Sequence, residues 1–239
     1  MKPYDTELSK KEEVRAMFDN IAPAYDRLNH TLSFHIDRIW RRRTVRLVGR
    51  LQPRRVLDMA TGTGDLAVMM ARRIPGAHIK GVDLSEGMLE VARRKVAARG
   101  LEDRVTLETG DAERAVAAPG SVDVVTVAFG VRNFGDLERG LAELSRTLRP
   151  GGQIVILEFS TPTMPLFGRL YDWYSHQVLP RVGGWLSRDR RAYDYLPRSV
   201  DEFPQPAEFL KILAAAGFRN CRARSQSFGI AQIYTAEKC

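Results

Sequence analysis

Between Val56 and Asp65 the chain reads VLDMATGTGD, a short apolar run followed by Ala60, Gly62 and Gly64 alternating with two threonines and bracketed by Asp58 and Asp65. Residues this small at a strand-to-helix turn let a ligand approach the backbone, and the first such turn of a doubly wound sheet lies at a ligand-binding crevice. The usual spacing has glycine where this chain has Ala60, and a tight turn of this kind can also bind nothing. Asp83 stands 19 positions beyond Gly64, at the end of a second apolar run, where a carboxylate takes both hydroxyls of an adenosine ribose. With Asp58, Asp65 and Asp111 around the same crevice, negative charge repels a pyrophosphate and favours a ligand carrying cationic groups. Farther on, Asp172 and His176 are spaced i, i+4 and can serve as base and orienter; a solvent-facing polar pair has the same spacing.

Apolar runs near 56–60, 78–83, 105–109, 122–129 and 153–159 alternate with helical patterns near 65–73, 85–98 and 136–148. The alternation predicts an α/β fold in which a doubly wound parallel sheet is covered by helices on both faces, with Asp83 and Asp111 at strand ends. Leu137, Leu141, Leu144 and Leu148 form the buried stripe of the last of these helices, and Pro150-Gly151-Gly152 is expected to end it. Upstream, Ser9 and Glu12 fit a capping box, and Val14, Met17, Phe18 and Ile21 follow at helical spacing until Pro23 interrupts. After a break, Ile36, Trp40, Leu47, Val48 and Leu51 predict a second helix whose other side holds arginines. Residues 160–205 break the rhythm with prolines and an aromatic set that includes Phe167, Tyr171, Trp173, Tyr174, Trp185, Tyr193 and Tyr195. They read as an insertion that lines or covers something. A helix over 206–216 and strands near 219–226 and 229–236 close the chain.

With 239 residues the chain can bury one full core. It is expected to form a single domain, with helices over 1–52, a core over 53–160, the insertion over 161–205 and closing elements over 206–239. No apolar run approaches the roughly 20 residues of a membrane span, and the Met1–Asp5 start is too polar for a secretory signal, so a cytoplasmic location is expected. Cys221 and Cys239 have no ligand or nucleophile pattern around them, and no metal site is expected. The net charge of +8 is concentrated. Residues 34–55 carry Arg38, Arg41, Arg42, Arg43, Arg46, Arg50, Arg54 and Arg55 against Asp37 alone, a run that suits nucleic acid, anionic lipid or plain solvent.

S-adenosylmethionine answers the carboxylate-ringed turn, since it has an ammonium and a sulfonium and no phosphate. The chain resembles the class I S-adenosylmethionine-dependent methyltransferases, and within them the ubiquinone and menaquinone biosynthesis C-methyltransferases. The resemblance runs nearly end to end, through FDNIAPAYDRLNHTLSF, DMATGTGD, GVDLSEGMLEVAR, GDAE, AFGVRNF, LRPGGQIVILEFSTP and YLPRSVDEFPQPAEFLKILAAAGF. It implies a Rossmann-like seven-stranded sheet with the last strand antiparallel, the cofactor over the first two strands, and a hydroquinone beneath a cap built from the N-terminal helices and the insertion. The family's cofactor positions fall on Thr63, on Asp83 at the ribose and on Asp111-Ala112 beside the adenine. Ala60, Gly62, Gly64, Leu84 and Met88 complete the expected cofactor wall. Family members often have serine where this chain has Ala128, which leaves only a backbone contact there. Asp58 is assigned to the methionine end, or else it ties down its own loop.

The resemblance implies methyl transfer to a ring carbon of a polyprenylated quinol, most directly demethylmenaquinol in menaquinone synthesis. The benzoquinol of ubiquinone synthesis, or both quinols, is the alternative. Arg132 and Asn133, inside AFGVRNF, are the expected catalytic pair. Arginine stays protonated, so Arg132 would stabilise a developing phenolate rather than accept its proton, or it would simply pair with a carboxylate such as Asp136. Tyr25, Phe129, Tyr171, Tyr174 and His176 are expected around the substrate, with Tyr25 alternatively a core anchor. The arginine run beside Trp40 and the aromatic insertion suggest peripheral contact with an anionic membrane surface, at the inner face of the membrane. Nucleic acid is not expected, because the basic run comes without an RNA-binding module, although an RNA methyltransferase and a catalytically silent cofactor-binding subunit stay open as remoter alternatives.

Overall fold

The computed structural model describes residues 1–162 and 190–239. Three helices precede the sheet. The first, α1 (Lys10–Ile21), starts at the predicted capping box: the Ser9 side chain accepts from the Glu12 N–H, and Glu12 accepts from the Ser9 N–H at 2.9 Å. Where the sequence predicts a break after Pro23, the chain re-enters a helix at once, α2 (Tyr25–Leu32). Eight residues are too few for periodicity to announce this helix, and the burial of Leu28 and Leu32 against its neighbours holds it. A corner at Phe34 and His35, both with positive φ, leads into α3 (Ile36–Arg50).

The buried side of α3 is Asp37, Trp40, Arg41, Thr44, Val45 and Val48, a regular i, i+3, i+4, i+7 stripe. The expectation that the arginines occupy the other side therefore fails at Arg41, whose charge is matched by Asp37 one turn earlier.

Seven strands follow: β1 (Arg55–Met59), β2 (His78–Asp83), β3 (Val105–Thr109), β4 (Val122–Ala128), β5 (Leu148–Phe159), β6 (Phe218–Gln226) and β7 (Ala231–Lys238). Their order is β3-β2-β1-β4-β5-β7-β6, with β7 antiparallel to both neighbours. The seven-stranded sheet with its last strand reversed is the one the sequence led us to expect. β1 lies between β2 and β4, so the strand order reverses at its carboxyl end, where the VLDMATGTGD turn emerges. Helices α4 (Asp65–Arg73), α5 (Glu86–Ala97), α6 (Leu137–Thr147), α7 (Arg190–Asp201) and α8 (Pro206–Ala215) complete the described architecture.

The Pro150-Gly151-Gly152 turn does not end α6. That helix stops at Thr147, and Leu148 already pairs with Val122, so the turn is an irregularity inside β5, with Gly151 at φ 71°. Over 190–201 the aromatic insertion forms a helix, α7, which runs through Pro197 and turns Ala192, Tyr195 and Val200 inward. Tyr171, Tyr174 and the Asp172–His176 pair lie outside the described residues.

Leu66 and Met70 of α4 and Trp40 and Val48 of α3 fill one apolar layer, while Leu141, Leu144, Phe209 and Leu213 fill another. A third cluster, including Val14, Met17, Ile21, Leu28 and Leu32, joins α1 and α2 to Met88 of α5 and Tyr195 of α7. It seats the N-terminal helices beside the carboxyl ends of the strands.

Candidate active site

A cleft of about 910 Å³ opens where β1, β2 and β4 end. Asp58, Ala60, Gly62, Thr63, Asp83, Leu84, Met88, Asp111, Ala112 and Ala128 all line it, together with Tyr25, Phe129 and Asn133. Gly64 stands behind, as the left-handed N-cap of α4, where an added Cβ would fall 3.0 Å from the Cβ of Ala92. Ala60 and Phe129 both adopt positive φ, 53° and 59°, at the ends of adjacent strands. Ala60 takes the backbone form that glycine would adopt freely, at a strain of about 1 kcal/mol. Gly130 has no such latitude in size, because a Cβ there would fall 2.4 Å from the Cβ of Ala60.

The carboxylates of the cleft are held by short local bonds. Asp83 accepts from the N–H groups of Gly62 (2.7 Å) and Ser85 (2.9 Å), yet burial pushes its carboxyl up to about 6. Asp58 accepts from the hydroxyls of Thr61 (2.6 Å) and Thr126 (2.5 Å), and burial again pushes it up to about 6. Asp58 thus ties down its own loop and also faces the cleft. Each carboxylate favours a ligand that restores its charge.

The N-terminal helices are fastened to this turn by ions. The Thr63 hydroxyl donates to Asp26 of α2 at 2.5 Å and accepts from Lys95 of α5 at 3.0 Å. Lys95 also meets Asp26 (2.5 Å) and Asp65 (2.6 Å). His30 bridges Asp37 through Nδ1 (2.8 Å) and Asp65 through Nε2 (3.3 Å), and these two hydrogen bonds raise its imidazole to about 9. Burial alone would raise Asp65, but the His30 bond and the Lys95 charge hold it well below the usual carboxylate range. At the other end of the cleft Lys11 of α1 contacts Asp111 (2.6 Å) and Glu113 (2.7 Å).

Beside the cleft lies an apolar cavity of about 1350 Å³, lined by residues including Met17, Ile21, Leu32, Trp40, Phe159, Tyr195 and Val200. Phe18, Tyr25, Arg41 and Phe129 line both spaces. Arg132 faces the apolar one. Its Nη1 donates to Glu158 Oε1 (2.7 Å) and to the Phe129 carbonyl (2.6 Å), and its Nε donates to Ser199 Oγ (3.2 Å). Its guanidinium also lies 5.4 Å from the Phe159 ring centre. The partner that the sequence suggested, Asp136, instead caps α6 by accepting from the Arg139 N–H. Asn133 is on the cofactor side, its Oδ1 accepting from the Tyr195 hydroxyl at 3.1 Å. Burial pushes Tyr195 up to about 12 and raises Tyr25 as well, so both hydroxyls remain donors at neutral pH.

Sequence reasoning missed Phe18, Arg41, Glu158 and Tyr195. Two of them left a signal: Arg41 shares the Asp37, Trp40, Thr44 stripe, and Glu158 is a lone charge in the apolar run QIVILEF.

Residues 6–238 match the ubiE/COQ5 methyltransferase family. The chain belongs to that family. Within the ubiE/COQ5 methyltransferases, it is 42% identical over 238 residues to the demethylmenaquinone methyltransferase of Bacteroides fragilis, covering 100% of this chain and 97% of the relative. It is 50% identical over 230 residues to the ubiquinone/menaquinone biosynthesis C-methyltransferase UbiE of Geobacter sulfurreducens, covering 96% and 90% of the two chains. The fold is also that of a SAM-dependent methyltransferase from Thermotoga maritima, with TM-score 0.63 at 20% identity over 94% of this chain and 99% of that one.

The cleft of this ubiE/COQ5 member fits S-adenosylmethionine. Asp83, which meets no cation among the described residues, suits a ribose diol. The turn around Ala60 and Gly62 lines the cleft, and buried Asp58 would supply negative charge for a cationic methionine end. Among the described residues, no group of three or more His, Cys, Asp or Glu could hold a metal ion.

Proposed function

We propose that this methyltransferase transfers a methyl group from S-adenosylmethionine to a ring carbon of a polyprenylated quinol, converting demethylmenaquinol to menaquinol. The observation that carries the reading is the shared wall: a carboxylate-lined cleft and a large apolar cavity meet at Phe18, Tyr25, Arg41 and Phe129. The bound cofactor supplies an electrophilic methyl group on a sulfonium. Holding donor and acceptor in line at near contact lowers the barrier mainly through position, and two spaces that adjoin at shared lining residues support that reading.

A ring carbon becomes nucleophilic only when a neighbouring hydroxyl gives up its proton, which requires the reduced quinol. Arg132, buried at the apolar side, stabilises the developing phenolate. Tyr25 and Tyr195 keep their protons and serve as donors, so the quinol's proton leaves through water. Tyr171, Tyr174 and His176 are assigned to the substrate on the resemblance alone. The benzoquinol of ubiquinone synthesis is the second reading, favoured by the double name of the Geobacter relative.

The prenyl tail brings the enzyme to a bilayer surface. No helix among the described residues is long and apolar enough to cross a membrane. Trp40 is turned inward, but Phe34, at the corner before α3, is 73% exposed and lines the apolar cavity, and Phe228 is 68% exposed. Exposed Arg38, Arg42, Arg46 and Arg50 on α3 supply the charge for anionic headgroups.

The test is mass spectrometry of lipid extracts after incubation with methyl-deuterated S-adenosylmethionine and each chemically reduced precursor, beside its oxidised control. Label on the naphthoquinol ring is expected. Label on the benzoquinol alone would assign the second reading, and no label on either would refute both.

A further inference from the structure

An amino-acid methyl donor brings a carboxylate as well as an ammonium to the glycine turn. Among Asp58, Asp65 and Asp83 that carboxylate would be repelled unless a cation faced it. Among the described residues, the cations lining the cleft are Lys11, Arg15 and Arg41. Lys11 is engaged by Asp111 and Glu113 at the other end of the cleft, and Arg15 is exposed. Arg41 is the buried one, its side chain 11% accessible, at the wall between the two cavities. Its charge acts on Asp58 and Asp65, the carboxylates of the glycine turn.

The guanidinium is anchored on one edge and open on the other. Nη1 donates to Asp37, which is itself fixed by His30 and Ser33. The Phe129 ring centre lies 5.0 Å from Cζ. Among the described residues Asp37 is the only hydrogen-bond partner of this side chain, while a guanidinium has five N–H donors in a planar fork that matches a carboxylate.

We propose that Arg41 binds the carboxylate of the cofactor's methionine end and makes the enzyme select donors that carry it. This rests on S-adenosylmethionine being the donor, and adds a residue to its site.

The experiment is isothermal titration of the purified protein with S-adenosylmethionine, its decarboxylated analogue and 5′-methylthioadenosine, which has no amino-acid end. Wild type is expected to prefer S-adenosylmethionine over the decarboxylated analogue by about ten- to a hundredfold, the range of a charge-assisted hydrogen bond. In Arg41→Met the two affinities should converge, with methylthioadenosine binding unchanged. Should Arg41→Met lose methylthioadenosine binding as well, Arg41→Gln, which can still donate to Asp37, carries the same comparison. A preference that survives the substitution would overturn the proposal, as would a wild type that has none. So would an intact preference together with a raised KM for the quinol, since that would assign Arg41 to the acceptor. Wild type that binds neither S-adenosylmethionine nor methylthioadenosine would instead refute the donor reading beneath it.

Discussion

Arg132 Nη1 lies 2.7 Å from Glu158 Oε1, with the two side chains 5% and 0% exposed, so the cation that faces the apolar cavity is held by a carboxylate without access to water. In the proposed reaction a guanidinium fixed in this way would meet the phenolate without first reorganising, which is where electrostatic catalysis gains most. Arg132→Ala should therefore lower kcat by about a hundredfold or more while leaving cofactor Kd within a few-fold, because Arg132 does not line the cofactor cleft. Single-turnover rates beside calorimetry decide it, and equal loss in both would remove Arg132 from the chemistry.

Glu158→Gln keeps the shape of the side chain but leaves a buried guanidinium without its counter-charge. Breaking such a pair costs about 3 kcal/mol of folding stability. Urea unfolding should show that loss, together with a lower kcat, whereas Tyr195→Phe, which removes the neutral bond to Asn133, should cost about 1 kcal/mol.

Burial raises both Asp58 and Asp83 to about 6, and a cationic or diol ligand requires them ionised. Cofactor affinity should be level above that pH and fall below it, about tenfold per pH unit for each carboxylate that must lose its proton. Titration between pH 5 and 8, a range spanning the values near 6, would reveal the slope, and Asp83→Asn should make it shallower. An affinity that stays flat through pH 5 would mean that neither group needs its charge.

His30 works in the opposite direction. Its protonated form is stabilised by Asp37 and Asp65, so its contribution to folding is fully present below the ordinary histidine value of 6.5 and is lost as pH rises through about 9. In this partly solvated network that contribution amounts to about 2 kcal/mol. Stability measured from pH 6 to 10 should decline for wild type through that window. His30→Gln should be less stable at the lower end and change less across it.

Gly130→Ala is expected to abolish cofactor binding without unfolding the sheet, since the added methyl would meet Ala60 Cβ at 2.4 Å and push the glycine turn into the cleft. Circular dichroism with calorimetry on one sample separates the two effects. Normal binding by this variant would mean that the β1 and β4 ends move apart easily.

On membranes, the protein should sediment with vesicles containing anionic lipid and release as salt rises, because exposed arginines act through a screened attraction. Phe34→Ser should weaken what remains at high salt. Salt-insensitive retention on neutral vesicles would contradict the electrostatic part.

The sequence by itself determined the sheet, the edge at which its strand order reverses, and most of the residues that line the cleft there. Those signals are local: alternation of apolar runs marks strands, three-and-four spacing marks helices, and VLDMATGTGD with Asp83 marks the crevice, whatever else the chain does. The capping box at Ser9 belongs to the same class and appears where it was predicted, as do Leu141 and Leu144 of the helical stripe, whereas Leu137 is only half-buried and Leu148 already opens β5. Local signals also misled. Pro150-Gly151-Gly152 reads as a helix end although its backbone continues in a strand.

Only the tertiary structure decided which charges meet. Arg132 and Glu158 are 26 positions apart, and Thr63 and Asp26 are 37 apart. Each pair forms because separate elements dock at one strand edge. Nothing in the sequence around Arg132 favours Glu158 over Asp136, since the choice depends on β5 lying beside β4 in the sheet. The inward turn of Arg41 likewise follows from the face that α3 presents to α4 and β5, a packing outcome in which one arginine of eight is taken out of water.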